Sequence, residues 1–138
     1  MSVEENKNVI NEVFVALNER DLDAAVSYYR PDTRFHGWAP QTVDVAGYKA
    51  IMGELLAAFP DSRFLVHDVI AEDDLIAVRH TFSGTHRQAF QGVPASGRPV
   101  EIGGIAVFGM EDSKVDEIWL NADFLGILQQ IGAVPTPA

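Results

Sequence analysis

Residues 75–84 read LIAVRHTFSG and carry the clearest strand pattern of the chain. Apolar side chains occupy every second position from Ile76 onward, and polar side chains fill most of the positions between them. Successive side chains of a β-strand point to opposite faces, so this alternation predicts a strand with one buried and one exposed face. The exception on the apolar face is His80. A lone histidine in that place is either a hydrogen-bonded core residue or a functional group.

Further strands are predicted on both sides of this segment. Residues 63–70 precede it, and residues 98–110 and 114–121 follow it with the same period of two. The intervening stretch 87–97 is rich in glycine and proline and is predicted to be a loop or lid. Within the longest strand, the pair Gly103-Gly104 predicts a bulge or a sharp bend.

The first half of the chain has helical periodicity instead. Ser2 and Glu5 form a capping box, and apolar residues then recur at helical spacing as far as Leu17. A second helix is predicted to begin at Asp21. It is expected to continue until Pro31, because the residue before a proline disfavours the α conformation.

The order of the elements predicts the fold class. A short strand is predicted over 33–38, a third helix over 44–59 and a closing helix over 124–131. Helices first and strands later, with short turns between the strands, predict an α+β fold with an antiparallel sheet. We expect the sheet to be curved and wrapped by the N-terminal helices around a pocket for a largely apolar small molecule.

Composition and charge exclude several classes of function. The chain has 138 residues, which fits a single domain over 1–138. A formal charge of −10 disfavours binding to nucleic acid and to anionic membranes. The absence of cysteine removes disulfides and thiolate chemistry. No secretory pattern and no apolar run of ~20 residues is present, so we expect a cytoplasmic protein without a membrane span.

Asp123 has two interpretations. It follows the last strand and precedes an apolar helix, where aspartate is a good N-cap. A carboxylate held near Trp119 and other apolar walls would instead have a raised pKa suited to acid–base catalysis near neutrality. The residues alone leave both interpretations open.

Other side chains are candidates for contact with a substrate. His36 and Trp38 share a face if 33–38 is a strand, and Trp119 and Asn121 share a face of the last strand. Aromatic residues of the helical half should converge on the same pocket. The predicted substrate-binding residues are His36, Trp38, Trp119, Asn121, Phe14 and Tyr28.

No metal site is predicted. The four histidines include no His-x-His pair, and there are no cysteines to complete a ligand set. His67 and His86 are both expected to be exposed to solvent.

Four stretches resemble one known family when they are taken in order. They are residues 59–64 (FPDSRF), 78–86 (VRHTFSGTH), 92–98 (GVPASGR) and 114–132 (KVDEIWLNADFLGILQQIG). Their succession is similar to that of the SnoaL-like polyketide cyclases, a branch of the nuclear-transport-factor-2-like superfamily. The similarity extends over nearly the whole chain.

The resemblance implies a fold and an activity. It implies an α+β cone-shaped barrel with a deep pocket, and closure of a ring of a polyketide ester by intramolecular aldol condensation without metal or cofactor. The family's acid/base aspartate matches Asp123, so Asp123 and His80 are the predicted catalytic residues. His80, Asn121 or His36 are expected to orient the substrate.

Two departures from the family pattern suggest a more hydrophobic pocket. Ile118 stands where many relatives have a histidine, and Ala106 stands at an often polar position. Two other interpretations stay open: a water-activating enzyme such as an epoxide hydrolase, and a non-catalytic ligand-binding or dimerisation module. Epoxide hydrolysis would favour an Asp–Arg–Asp cluster, but Arg79 is expected to face away from His80. We also expect a homodimer or higher homo-oligomer through the exposed face of the sheet.

Overall fold

The computed structural model describes residues 2–136, which form four helices and five strands. In chain order they are α1 (Val3–Asn18), α2 (Leu22–Val26), β1 (Tyr29–His36), α3 (Val45–Ala58), β2 (Arg63–Glu72), β3 (Leu75–Thr85), β4 (Pro99–Glu111), β5 (Lys114–Ala122) and α4 (Phe124–Gln130). No helix among the described residues is both long and apolar enough to cross a membrane.

Side-chain caps set the starts of the helices. The hydroxyl of Ser2 accepts a hydrogen bond from the backbone N–H of Glu5 at 3.0 Å, as the capping box predicts. Asp44 accepts in the same way from Gly47 at the start of α3. These oxygens satisfy backbone donors that have no partner inside the helix.

The five strands form one curved, unclosed sheet in the order β1-β5-β4-β3-β2. The predicted α+β class and curved sheet are therefore confirmed. One pairing differs from the prediction, because β1 runs parallel to β5 while the other pairs are antiparallel. The edge strands β1 and β2 lie at opposite ends of this order, so the sheet is an open cone and not a closed barrel.

The strand β1 begins earlier than predicted. The second helix ends at Val26, and residues from Tyr29 onward are already extended. Pro31 fits inside this strand because β1 is an edge strand, where a missing N–H costs no ladder hydrogen bond. The buried Thr33 holds the strand: its hydroxyl accepts from the Arg30 N–H and donates to the Val115 carbonyl at 2.7 Å.

The predicted bulge at Gly103-Gly104 is wrong. The pairing of β3 with β4 is continuous through both glycines, and the irregularity of β4 lies between Gly109 and Met110, opposite β5. Two further irregularities of pairing lie between Val66 and Asp68 in β2 and between Tyr29 and Arg34 in β1. Bulges add local twist, which is consistent with the curvature of the sheet.

The helices pack onto the concave face of the sheet and form one core with it. Phe14 of α1 lies at the centre, with ring centroids 6.2 Å from both Phe64 and Phe108. The concave face carries the alternate positions of each strand, including Ile118 of β5. A partly open cavity remains in this core.

Candidate active site

The cavity lies between the concave face of the sheet and helices α1, α3 and α4. Its volume is about 50 Å³, and it is lined mainly by apolar side chains. This volume holds a few water molecules. The polar side chains in its wall are those of His80, Tyr29, Tyr48 and Trp38.

His80 is held in the wall by β3. The residue is only 5% exposed, and its ring lies between the rings of Phe14 (centroids 5.7 Å apart) and Phe64 (6.1 Å). Its Nδ1 is 3.4 Å from the carbonyl oxygen of Val78, which favours a proton on Nδ1 and a lone pair on Nε2. Burial lowers the pKa of His80 below 6.5, and the charge of His67 acts in the same direction. The imidazole is therefore neutral at physiological pH.

The absence of a side chain at Gly104 makes room for this imidazole. Gly104 pairs with His80 across the sheet, and a Cβ built there would lie 3.1 Å from Nε2 and 3.2 Å from the Cβ of Ala122. The neighbouring Gly103 has no atom within 4 Å of such a Cβ. Of the two glycines, Gly104 is therefore the one that the position of His80 requires.

Two tyrosine hydroxyls also lie in the cavity wall. The hydroxyl oxygens of Tyr29 in β1 and Tyr48 in α3 are 3.2 Å apart, and both residues are buried. Burial raises the pKa of Tyr48 to about 12 and raises that of Tyr29 well above its usual value. Both hydroxyls therefore stay protonated, as hydrogen-bond donors, across the physiological range.

A larger groove of about 460 Å³ adjoins the cavity. Four side chains border both spaces: Trp38, Met52, Leu55 and Phe124. The loop after β3 also borders the groove, and there the backbone N–H of Gln91 donates to the carboxylate of Glu54 at 2.6 Å. Pockets for drug-sized ligands have volumes of about 300–1,000 Å³, so the groove has the ligand-sized volume and the inner cavity has the functional groups.

Asp123 lies beside the cavity but does not line it. Its backbone neighbours Ala122 and Phe124 are in the cavity wall, while Asp123 itself is exposed. Its Oδ1 accepts a hydrogen bond from the backbone N–H of Gly126 at 2.8 Å and caps α4. Among the hydrogen bonds of residues 2–136, none engages Oδ2. One carboxylate oxygen is thus used for the cap, and an acid/base role for Asp123 stays a prediction.

The cavity face of β5 was predicted incorrectly. Ile118, Leu120 and Ala122 point into the cavity, so Trp119 and Asn121 lie on the convex face, where both are exposed. The alternation alone could not show which face is concave, because Trp119 is the largest apolar residue of the strand but lies outside.

His36 and Trp38 also lie on opposite sides, contrary to the prediction that they share a face. Gly37 between them has φ +101°, a conformation that reverses the alternation, and its Cα faces the Leu120 carbonyl. Trp38 lines the cavity. The His36 ring stacks on Trp119 on the convex side, with centroids 5.7 Å apart.

The convex cluster around His36 is held together by polar contacts. Its Nε2 lies 2.6 Å from the carboxylate of Glu117, and its Nδ1 lies 3.1 Å from the hydroxyl of Thr42. Arg34 pairs with the same carboxylate at 3.2 Å. These contacts separate His36 from the cavity.

Of the predicted aromatic residues, Phe14 lines the cavity and Tyr28 does not. The reason is that α2 ends at Val26, earlier than predicted, and the chain is extended from Tyr29 onward. As a result Tyr29, and not Tyr28, points into the cavity. Tyr48 and Tyr29 were recognisable from the sequence only as core aromatic residues, and nothing in the sequence indicated that their hydroxyls meet.

His86 is fully buried, not exposed as predicted. Its Nδ1 accepts from the backbone N–H of Ser96 at 3.1 Å, and its ring lies against Phe59. These contacts tie the two ends of the loop 86–97 together. His67 is exposed as predicted and contacts the hydroxyl of Thr81.

The ionisable groups do not form a metal centre in the described part of the chain. Within residues 2–136, no group of three or more His, Asp or Glu side chains is placed to hold a metal ion. Arg79 pairs with Asp68 at 2.7 Å on the convex face, so it does not contribute to an Asp–Arg–Asp cluster in the cavity.

Comparison with known proteins identifies similar families and structures. The model of the family described as SnoaL-like polyketide cyclase matches residues 8–131. No curated protein matches the chain.

Several solved structures share the fold over almost the whole chain. AclR, a candidate hydroxylase from Streptomyces galilaeus, has 29% identity and a TM-score of 0.92, covering 99% of this chain and 87% of its own. IdmH, a candidate polyketide cyclase from Streptomyces antibioticus, has 29% identity and a TM-score of 0.80. The match covers 92% of this chain and 98% of IdmH. A candidate SnoaL-like polyketide cyclase from Jannaschia sp. CCS1 has 25% identity and a TM-score of 0.84, with coverages of 96% and 94%.

Proposed function

The chain belongs to the SnoaL-like polyketide cyclase family, and we propose that it is a cofactor-independent enzyme of the cyclase type. The substrate is a polyketide-like β-carbonyl ester or a related ketone. The reaction is enolisation followed by intramolecular aldol condensation, by general acid/base catalysis. His80 is the general base.

The observation that carries this proposal is a buried imidazole in the wall of an apolar cavity. A base must be unprotonated at the working pH, and burial keeps His80 so by lowering its pKa. The Val78 carbonyl favours the tautomer in which Nε2 is the unprotonated nitrogen. The lack of a side chain at Gly104 lets the imidazole keep this place, since a Cβ there would lie 3.1 Å from Nε2.

The chemistry needs little from the protein beyond this base and a shaped space. A carbon between two carbonyl groups is already acidic, and Nε2 takes its proton to give an enolate. The enolate carbon then attacks a second carbonyl of the same molecule, forming the new carbon–carbon bond. The imidazolium returns the proton to the new alkoxide. Holding the folded chain in an attack geometry supplies the rest of the rate enhancement.

The shape of the site supports a substrate with an apolar ring-sized body. The inner cavity of about 50 Å³ is too small for such a molecule, while the adjoining groove of about 460 Å³ is large enough. The reactive end would reach His80 when the shared side chains, Trp38 and Phe124 among them, move aside. Asp123 at the edge of this path is the second candidate for proton transfer, as the family resemblance implies.

Deuterium exchange tests the proposal. Ethyl acetoacetate and 2-tetralone are incubated in D₂O with the folded protein, and loss of the acidic C–H signal is followed by NMR. Exchange faster than with an equal concentration of free imidazole supports enolisation. Exchange no faster than with imidazole, for these and for larger polycyclic ketones, would overturn it.

A water-activating hydroxylase is the second candidate function. The similarity to AclR, with a TM-score of 0.92 over nearly all of this chain, favours it. His80 could then deprotonate water in place of a carbon acid. The absence of deuterium exchange, together with oxygen-18 incorporation from labelled water into a product, would favour this candidate. A filled, inert cavity with neither activity would favour a ligand-binding module.

We also propose that the protein forms a homodimer through the convex face. One cross-strand row runs over the sheet from Trp119 through Val107 and Ala77 to Ile70, which is 67% exposed. The ion pair Arg79–Asp68 lies beside this row. In a two-fold related dimer, Arg79 of one copy could pair with Asp68 of the other.

Light scattering after size exclusion tests the dimer with two substitutions. Ile70→Glu should give a monomer. Val15→Glu, at an exposed apolar position of α1, should leave the dimer intact. A monomeric wild type, or a dimer that Ile70→Glu does not weaken, would contradict this interface.

A further inference from the structure

We propose that the hydroxyl pair of Tyr29 and Tyr48 is an anchor that donates a hydrogen bond to an oxygen of the bound ligand. The pair would make the cavity selective for ketones, enols and enolates over hydrocarbons of the same shape. This inference rests on the proposed function in naming a carbonyl compound as the ligand. It adds a recognition site on a wall that neither His80 nor Asp123 belongs to.

The hydroxyls of Tyr29 and Tyr48 have one more O–H donor than their mutual hydrogen bond uses. Tyr29 is 6% exposed and Tyr48 is 2% exposed, and their hydroxyl oxygens lie 3.2 Å apart. Among residues 2–136 neither hydroxyl has another hydrogen-bond partner. Two hydroxyls carry two O–H donors, and one bond between them uses one donor only. The second donor is left to the cavity that both residues line.

Either hydroxyl can be the donor within the pair, whose oxygens lie 3.2 Å apart. The O–H that this bond does not use can therefore come from Tyr29 or from Tyr48. The hydrogen bond within the pair polarises the accepting hydroxyl and makes its own proton a better donor.

Packing fixes the positions of the two hydroxyl oxygens. The Tyr48 ring stacks on Phe35 with centroids 4.3 Å apart and planes at 15°, and the Trp38 ring meets it at 5.4 Å. The Tyr29 ring meets the rings of Phe35 and Tyr48 at 5.5 Å each. Oxygens held in this way need little reorganisation when a ligand oxygen arrives, which favours the stabilisation of a developing negative charge.

The ligand oxygen and His80 therefore meet different walls. Tyr29 and Tyr48 belong to β1 and α3, while His80 belongs to β3, separated from β1 by β5 and β4 in the sheet. A ligand that contacts both must place an oxygen and an acidic C–H at different positions of one apolar body. Enolisable cyclic ketones have this arrangement.

Paired ligands and paired tyrosines test the anchor. Binding of 2-tetralone and of tetralin, which lacks the oxygen, is measured by ligand-observed NMR to wild type and to the double variant Tyr29→Phe/Tyr48→Phe. The double substitution should weaken 2-tetralone about tenfold, as expected for the loss of one hydrogen bond, and leave tetralin unchanged. Each single variant keeps one hydroxyl and should weaken 2-tetralone less.

Tyr28→Phe is the matched control, since Tyr28 is half-buried outside the cavity. It should bind both compounds as wild type does. Equal binding of 2-tetralone to wild type and to the double variant, or an equal loss for tetralin, would overturn the anchor. If wild type fails to catalyse exchange yet shows the selective loss, the anchor stands and the proposed reaction fails. If wild type catalyses exchange without the selective loss, the reaction stands and the anchor fails.

Discussion

The Nε2 of His80 lies over Gly104, at 3.1 Å from the place where a Cβ of residue 104 would be. The two residues are direct partners across β3 and β4. A methyl group at residue 104 would displace the imidazole from its present place by a few tenths of an ångström. The cross-strand partner of the candidate base is thus a residue without a side chain, and this leaves room for the imidazole.

Gly104→Ala should therefore lower catalysis while the protein still folds. The methyl group would push the imidazole aside by a few tenths of an ångström and should reduce deuterium exchange of 2-tetralone by about tenfold or more. Gly103→Ala is the control, because nothing lies within 4 Å of its Cβ. Equal exchange rates for the two variants would show that the position of His80 does not matter.

The pH dependence of exchange should report the neutral form of His80. Burial lowers its pKa from 6.5, so the active neutral base persists to lower pH than for free imidazole. The acid limb of the rate profile should have its midpoint below pH 6.5 in wild type. A midpoint above 6.5 would mean that a different group, or a charged neighbour, controls the reaction.

The same pKa shift predicts a change in stability. Above pH 6.5 the imidazole is neutral in both the folded and the unfolded states. In this range its titration does not lower the free energy of unfolding. Between 6.5 and the lower folded value, the unfolded chain binds the proton first, so the free energy of unfolding falls as the pH falls. Urea unfolding at pH 7.5 and 5.5 should show a smaller difference in His80→Gln than in wild type. If His80→Gln shows the same difference in the free energy of unfolding between the two pH values as wild type, a group other than His80 causes the pH dependence.

Substitutions of Asp123 separate its role as a cap from chemistry. Asparagine caps helices as well as aspartate does, so Asp123→Asn should keep the thermal midpoint. Asp123→Ala loses the acceptor for the Gly126 N–H and should cost about 1 kcal/mol, a shift of about 3–5 °C. Calorimetry of both variants measures this. If Asp123→Asn lowers the thermal midpoint as much as Asp123→Ala does, the charge of Asp123, and not its hydrogen bond to Gly126, stabilises α4.

Much of the fold could be predicted from local patterns. The Ser2–Glu5 box and the alternation in β3 are signals over a few residues, and the structure has them as expected. The parallel pairing of β1 with β5 could not be predicted in this way, because it joins residues about 80 positions apart, such as Phe35 and Ile118. Local sequence carries no information on such a partner.

The candidate site depends on contacts that sequence patterns do not contain. His80 was identified because a polar residue interrupts an apolar face. The sequence predicts Trp119 at the pocket because it shares a strand face with Asn121 near Asp123, yet the curvature of the whole sheet leaves it 39% exposed on the convex side. The Tyr29–Tyr48 pair forms only when α3 packs against β1, so each residue alone has the pattern of a core residue.

Gly37 controls the separation between the cavity and the convex cluster. Its φ of +101° disfavours any side chain, and a Cβ there would lie 2.0 Å from the Leu120 carbonyl oxygen. Gly37→Ala should cost about 3 kcal/mol or more. Gly92→Ala, with φ +78° but nothing within 4 Å, should cost about 1 kcal/mol. Similar midpoints of chemical unfolding for the two variants would contradict the close approach of β1 and β5.

The most direct test of His80 as the general base compares deuterium exchange of 2-tetralone by wild type, His80→Gln and Asp123→Asn, each shown to be folded by circular dichroism. His80→Gln should lose about 100-fold or more of the rate, as expected for removal of a general base, and Asp123→Asn should keep most of it. The reverse pattern, with exchange kept by His80→Gln and lost in Asp123→Asn, would contradict this role and assign the proton transfer to the carboxylate at the start of α4.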